Sequence, residues 1–230
     1  MKLKQKVIAF KTKDKLIQES WDEKKDLADF PCPCRILLLG GIGSGKSLYI
    51  KNLIIHQTPP YDEVYLIHPT GGLEYEDVGC TEIFDSIPPV SYWSELPVED
   101  DDGNLIKRLV IIDDMPLEKI RKEQQENLDL LLRHISSHRG ITINCAFQRF
   151  FGCPTSVRDL CNVFILWKPT ARNEISIIAN RVGMDAMDLA TLFKDCKNPR
   201  DSICVDLTFG SPAPIRKNIW EVVTLDEEDS

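Results

Sequence analysis

No stretch of the 230-residue chain approaches the roughly 18 to 20 continuous apolar residues that cross a bilayer, and its N-terminus lacks the apolar core of a secretory signal. These two absences predict a soluble, intracellular protein. An excess of positive charge is missing as well: 28 Lys and Arg stand against 36 Asp and Glu, a formal charge of -8, which excludes a protein that coats nucleic acid by bulk charge. Any contact with DNA must be local. The most basic element is N-terminal, where Lys2, Lys4, Lys6, Lys11, Lys13 and Lys15 surround the short apolar run Val7 to Phe10; it reads first as a solvated arm and second as a DNA contact. Zinc-type spacing is lacking too. Cys32 and Cys34 flank a proline in Pro-Cys-Pro-Cys, unlike a zinc knuckle, and no His-Cys cluster supplies further ligands. The eight cysteines fall in expected strands and helices (Cys145, Cys161, Cys204) as often as in loops, which predicts free thiols rather than a disulfide framework. There is no internal repeat and no low-complexity segment.

What is present is concentrated in residues 36 to 47, Ile-Leu-Leu-Leu-Gly-Gly-Ile-Gly-Ser-Gly-Lys-Ser, an apolar strand running into Gly40-x4-Gly45-Lys46-Ser47. This is the pattern of a phosphate-binding loop. Gly40, Gly41, Gly43 and Gly45, with Ser44 among them, let the backbone curl so that successive N–H groups point at one anion. That anion sits at the positive N-terminus of the next helix, Ser47 to about His56, whose first turn holds Leu48. Lys46 would reach the β- and γ-phosphates and the Ser47 hydroxyl would complete a Mg²⁺ shell, so the cofactors implied are ATP and Mg²⁺. A glycine-rich linker between strand and helix has no use for a Lys-Ser pair beyond its last glycine.

The length suits one α/β domain with a C-terminal elaboration. We read residues 1–30 as a basic arm and helix, 31–168 as the nucleotide-binding core, and 169–230 as a helical and strand elaboration with an acidic tail at Asp226 to Asp229. The fold class is an α/β P-loop NTPase, a mainly parallel central sheet flanked by helices, of the additional-strand, RecA-like type. Leu16 to Leu27 is a polar helix candidate. Glu63 to His68 is a second strand, Thr81 to Phe84 a short one, and Val90 to Leu96 a helix candidate before the acidic loop Glu99 to Gly103. The strand Leu109 to Ile112 delivers Asp113 and Asp114, and one long amphipathic helix is expected from Leu117 to His134, with Leu128, Leu131 and Leu132 inward. Further strands are Ile141 to Phe147, tipped by Gln148, then Asn162 to Trp167 and Ser202 to Leu207; helices are Ser156 to Leu160, Asn173 to Val182 and Ala186 to Lys194.

These apolar strands would place polar tips along one edge of a parallel sheet, where such sheets bind ligands: the glycine loop, Asp113-Asp114, Gln148 and the Arg158 to Asn162 segment. Asp113 would hold Mg²⁺ beside Ser47, Asp114 would orient or deprotonate the attacking water, and the Gln148 amide would sense the γ-phosphate or hold that water in line. Arg133, Arg139 and Arg158 lie near these tips in sequence and are candidates to stabilise transition-state charge, in cis or from a neighbouring subunit.

The string Arg139-Gly140-Ile141-Thr142-Ile143-Asn144-Cys145-Ala146-Phe147-Gln148, followed by Pro154, Val157-Arg158 and Asn162, resembles the packaging ATPases of large DNA viruses of the poxvirus type, within the FtsK–HerA group of P-loop motors. The matching blocks are Gly40 to Ser47, Leu109 to Asp114, Leu128 to Arg139, Ile141 to Gln148 and Arg158 to Asn162, covering about residues 35 to 168. The resemblance implies an ATP-hydrolysing homo-oligomeric ring that translocates double-stranded DNA into a preformed capsid, with capsid or membrane-vertex proteins as partners and host cytoplasm or a virus factory as location. Two departures stand out. Asp114 is shorter than the Glu most such motors use, and the arginine segment is spread out, with Arg158 favoured as the trans arginine and Arg139 next. Beyond Pro169 no motif matches. Other readings of the phosphate loop are a kinase of a nucleotide or small metabolite, a phage-assembly or secretion ATPase, and a non-catalytic nucleotide-binding scaffold.

Overall fold

The computed structural model describes residues 26–169 and 171–223. The lysine-rich arm, most of the Leu16 to Leu27 helix candidate and the acidic tail lie outside the described residues. In chain order the elements are β1 (Arg35–Leu39), α1 (Lys46–His56), β2 (Glu63–Ile67), β3 (Glu82–Phe84), α2 (Val90–Glu95), β4 (Arg108–Ile112), α3 (Lys122–Leu130), α4 (Ser136–His138) and β5 (Ile141–Phe147). They continue as α5 (Thr155–Leu160), β6 (Val163–Trp167), α6 (Arg172–Val182), α7 (Ala186–Asp195), β7 (Ser202–Asp206), β8 (Ile215–Lys217) and β9 (Glu221–Val222).

All nine strands form one sheet in the order β3-β2-β4-β5-β1-β6-β7-β8-β9. The first six pair in parallel, and β7, β8 and β9 continue the sheet antiparallel from β6. β5 lies between β1 and β4, so the strand bearing the glycine loop and the strand bearing the aspartates are separated by one added strand, as the additional-strand reading requires. Successive residues alternate between two cores, as the pleat dictates. Leu37, Leu39, Val110, Ile112 and Ile143 face one, closed by Leu128, Leu131, Leu132, Leu189 and Phe193. Ile36, Leu38, Leu109, Ile111 and Ile165 face the other, closed by Ile50 and Leu53 of α1. This double burial explains the unbroken apolar runs of β1, β4 and β6.

One expected element is corrected. The single helix from Leu117 to His134 is instead a 3₁₀ turn (Leu117–Lys119), two extended residues at Ile120 and Arg121, α3, and a π-helical turn (Leu131–Ile135) leading to α4. The extended pair lets Leu117 and Leu128 join the same core from separate turns, and the wider π turn keeps the consecutive Leu131 and Leu132 both inside. Beyond the expected elements, a 3₁₀ helix at Leu73–Val78 follows β2, and β8 and β9 extend the sheet.

Candidate functional site

Register fixes where the site is. Leu39 pairs with Phe147 and Leu166, Ile112 with Cys145, and Ile67 with Ile112, so β1, β2, β4, β5 and β6 end along one edge. The residues that step off those ends are Gly40, His68, Asp113, Gln148 and Lys168.

The loop leaves β1 with the Gly40 amide donating to the Phe147 carbonyl at 3.0 Å. Only glycine fits there: a Cβ on Gly40 would lie 2.6 Å from Ser44 Oγ and 2.8 Å from Trp167 Cε3. Gly45 precedes α1 at φ +101°, a backbone that favours glycine, and no side chain caps the helix. The free amides of its first turn and its dipole therefore face the loop. Lys46 is buried, and its Nζ donates to the carbonyls of Gly40 at 2.8 Å and Gly41 at 3.2 Å, arching over the loop. Burial pushes its pKa down, with Asp113 and Asp114 opposing that shift.

Asp113 is 3 % exposed, and its Oδ2 accepts hydrogen bonds from Ser47 Oγ at 3.2 Å and from the Tyr75 hydroxyl at 2.7 Å. Burial raises its pKa, the Tyr75 bond opposes that, and the Asp114 charge adds to the rise. Asp113 Oδ1 accepts the Asp114 amide at 3.0 Å, and Asp114 takes the left-handed φ of +51°, which turns its exposed side chain off the strand direction. Gln148 Nε2 lies 3.4 Å from Asp114 Oδ1. Serine, aspartates and glutamine thus meet from the start of α1 and the ends of β4 and β5. The donor set fits a magnesium-bound polyphosphate: loop and helix amides and the Lys46 ammonium for the anion, a hydroxyl and a carboxylate at 3.2 Å for the metal.

Sequence reasoning missed several residues at this edge. Tyr75 comes from the 3₁₀ helix after β2, where nothing in the local pattern marks it. His68 is buried, accepts the Thr70 amide on Nδ1 at 3.2 Å and turns Nε2 toward Glu74 Oε1 at 3.6 Å. His68, Glu74 and Asp114 bring one ligand-type atom each within 4.8 Å of one another. Arg149 is exposed beside Gln148, and its place after a strand tip was the available signal.

Arg139 separates from the edge. Arg139 precedes β5, at the opposite end of a strand about 20 Å long, and its Nη1 donates to the Leu96 carbonyl at 2.7 Å. Asn162 also lies at that far edge, exchanging bonds with the Arg35 backbone at 3.0 and 2.8 Å, so the expectation that the Arg158 to Asn162 segment forms a strand tip beside the loop is corrected: β6 runs away from it and ends at Trp167. Arg158, halfway along α5, stacks on Phe150 at 4.7 Å and donates to Thr155 at 2.9 Å. Beside the loop a cavity of about 730 Å³ opens between Gly40 to Ser44, Gln148, Trp167, α6 and residues 196–201.

No protein-family model and no curated protein sequence matches the chain. Among solved structures, the genome packaging NTPase of Sulfolobus turreted icosahedral virus 2 bound to ATP-gammaS is similar, with a TM-score of 0.56 and 17 % identity over 80 % of this chain and 96 % of that one. The pCW3 conjugation coupling protein TcpA matches with a TM-score of 0.56 and 16 % identity over 80 % of this chain and 59 % of that one. The cytoplasmic domain of the Thermomonospora curvata type VII secretion ATPase EccC matches with a TM-score of 0.57 and 14 % identity over 85 % of this chain and 26 % of that one. What these likenesses show is the fold, that of a P-loop NTPase.

Proposed function

We propose that this chain is an ATP-hydrolysing motor that moves double-stranded DNA, and that its task is to package a viral genome into a preformed capsid. The observation that carries the catalytic part is the meeting of Ser47 Oγ and Asp113 at 3.2 Å below the Lys46 arch, with Gln148 3.4 Å from Asp114. Support for the motor part is the likeness to a packaging NTPase that extends over 96 % of that enzyme's chain.

In this reading the loop amides and Lys46 bind the β- and γ-phosphates, while Ser47 and Asp113 hold Mg²⁺. A Mg²⁺ held by these two residues would supply positive charge to offset that developing on the phosphates during transfer. Tyr75 fixes Asp113 in the orientation that faces Ser47. Asp114 takes the proton from the attacking water, and Gln148 keeps that water in line. Two exposed apolar residues flank this edge, Ile42 at 88 % and Phe151 at 56 % exposure, as expected of a surface covered by the next subunit of a ring. The arginine contributed to a neighbouring site is Arg149, exposed beside Gln148 at this edge, whereas Arg158 is engaged with Phe150 and Thr155.

The test is phosphate release from ATP with Mg²⁺, with and without double-stranded DNA, on a sample whose mass is measured in parallel. Stimulation by DNA in an oligomeric fraction is the expected result. Turnover that ignores DNA and instead requires a small phosphate acceptor would replace the motor with a kinase.

A further inference from the structure

The cavity beside the phosphate loop contains a group that phosphate binding does not use. Glu174, in the first turn of α6, is 6 % exposed and is one of the residues that line the cavity. Among the described residues its carboxylate has no hydrogen-bond or ion-pair partner, although Lys168 and Lys197 line the same cavity. It stands third in the helix, where a Glu commonly turns back onto the N-cap amide. Here the N-cap is Ala171, no side chain caps the helix, and Glu174 makes no such bond. A capping role therefore does not explain it.

A carboxylate set in a cavity wall with no protein partner is completed by what fills the cavity, water or a ligand that brings donors. Ionised, it only accepts hydrogen bonds, so its partner must bring donors. A polyphosphate brings none and shares its charge. The part of a nucleotide that does carry adjacent donors is the nucleoside, on its ribose hydroxyls or on a base amino group. The cavity is of ligand size, and Trp167 on its wall already commits its indole N–H to the Arg200 carbonyl at 3.1 Å.

We propose that Glu174 reads the nucleoside: with the polyphosphate on the loop, its carboxylate accepts hydrogen bonds from the ribose hydroxyls or the base amino group. This rests on the nucleotide-binding reading above and adds the residue that distinguishes a nucleotide from a bare polyphosphate.

The experiment is competitive displacement of a fluorescent ATP analogue from the full chain with Mg²⁺. Competitors are ATP, 2′,3′-dideoxy-ATP, which lacks both ribose hydroxyls, ITP, which lacks the base amino group, and inorganic tripolyphosphate. Wild type is compared with Glu174→Ala, Glu174→Gln and Lys46→Ala. Glu174→Ala is expected to weaken ATP about 10- to 100-fold, the scale of hydrogen bonds to a charged group, and to leave tripolyphosphate unchanged. Wild type should discriminate against one of the two analogues, and Glu174→Ala should lose that discrimination; the analogue affected names the group that is read. Glu174→Gln keeps the shape and one acceptor oxygen, and decides the matter if melting curves show the alanine variant to be unfolded. ATP affinity within about 2-fold of wild type in the folded variant, an equal loss for tripolyphosphate, or a wild type indifferent to both analogues would overturn the assignment. If instead Lys46→Ala leaves both ATP and tripolyphosphate binding intact, the nucleotide site itself is wrong.

Discussion

The parallel and antiparallel parts of the sheet differ in where they keep their polar groups. In β1, β4 and β6 the residues between the strand ends are apolar, the buried Arg108 sits at the start of β4 where it pairs with Glu63, and Asp113 and the loop emerge where the strands stop. In the antiparallel part charge lies inside. Asp206 of β7 and Arg216 of β8 pair at 2.7 Å with both side chains fully buried. Asp206 also accepts from Thr208 and Ser211, while Arg216 donates to the Leu27 carbonyl at 2.6 Å and stacks on Phe30 at 5.0 Å. The first arrangement leaves charges at an edge, free to bind a ligand. The second uses them up among themselves, tying the last strands to the segment that enters β1.

The sharpest break in this comparison separates function from fold. Lys46→Ala should reduce ATP turnover by roughly 10³-fold or more while the circular dichroism spectrum stays unchanged, since among the described residues its Nζ bonds only to loop carbonyls. Asp114→Asn should keep ATP binding and lose turnover to a similar degree; normal turnover there would remove Asp114 as the base.

The opposite break is expected in the antiparallel part. Asp206→Ala leaves Arg216 buried without its carboxylate and should cost about 3–5 kcal/mol of stability in denaturant unfolding. Replacing both partners with apolar residues of similar size should recover most of that loss, and an uncorrected double variant would mean the pair is not what holds β7 to β8.

Tyr75 joins the two kinds of region, as a buried residue whose hydroxyl serves the edge. Tyr75→Phe should lower turnover about 10-fold and raise the Mg²⁺ concentration for half-maximal rate, with nucleotide affinity in the absence of metal unchanged. A loss of stability with no shift in Mg²⁺ dependence would make it merely a packing residue.

The smallest effect concerns pH. Burial holds the Asp113 pKa above its unfolded value of about 3.9, so in the folded state ionisation is disfavoured. That group's contribution to stability is present below the unfolded pKa and is lost as pH rises through the folded one. Asp113→Asn should therefore raise the metal-free melting temperature by a few degrees at pH 7, with the gain vanishing near pH 4. A gain that persists at low pH would point to packing instead of charge.

Gly40 to Ser47, the Asp113-Asp114 pair and Gln148 were legible because each follows an apolar run whose direction is fixed by the next element: a strand that ends in a motif declares its own tip. Arg139 and Asn162 misled for the converse reason. They precede strands, and in a parallel sheet the residues before a strand and those after it lie at opposite edges. Tyr75, His68 and Glu174 left no local signal, since a tyrosine in a 3₁₀ turn or a glutamate in a first helical turn has an ordinary local role. Sequence thus determined the phosphate loop, the alternation of strands and helices and the acidic and amide groups of one edge, because those depend on local pattern and motif spacing. Tertiary structure alone decided which buried hydroxyl holds Asp113, which charges cancel inside the sheet and which carboxylate is left facing the cavity, because each depends on residues far apart in the chain coming within hydrogen-bond reach, or failing to.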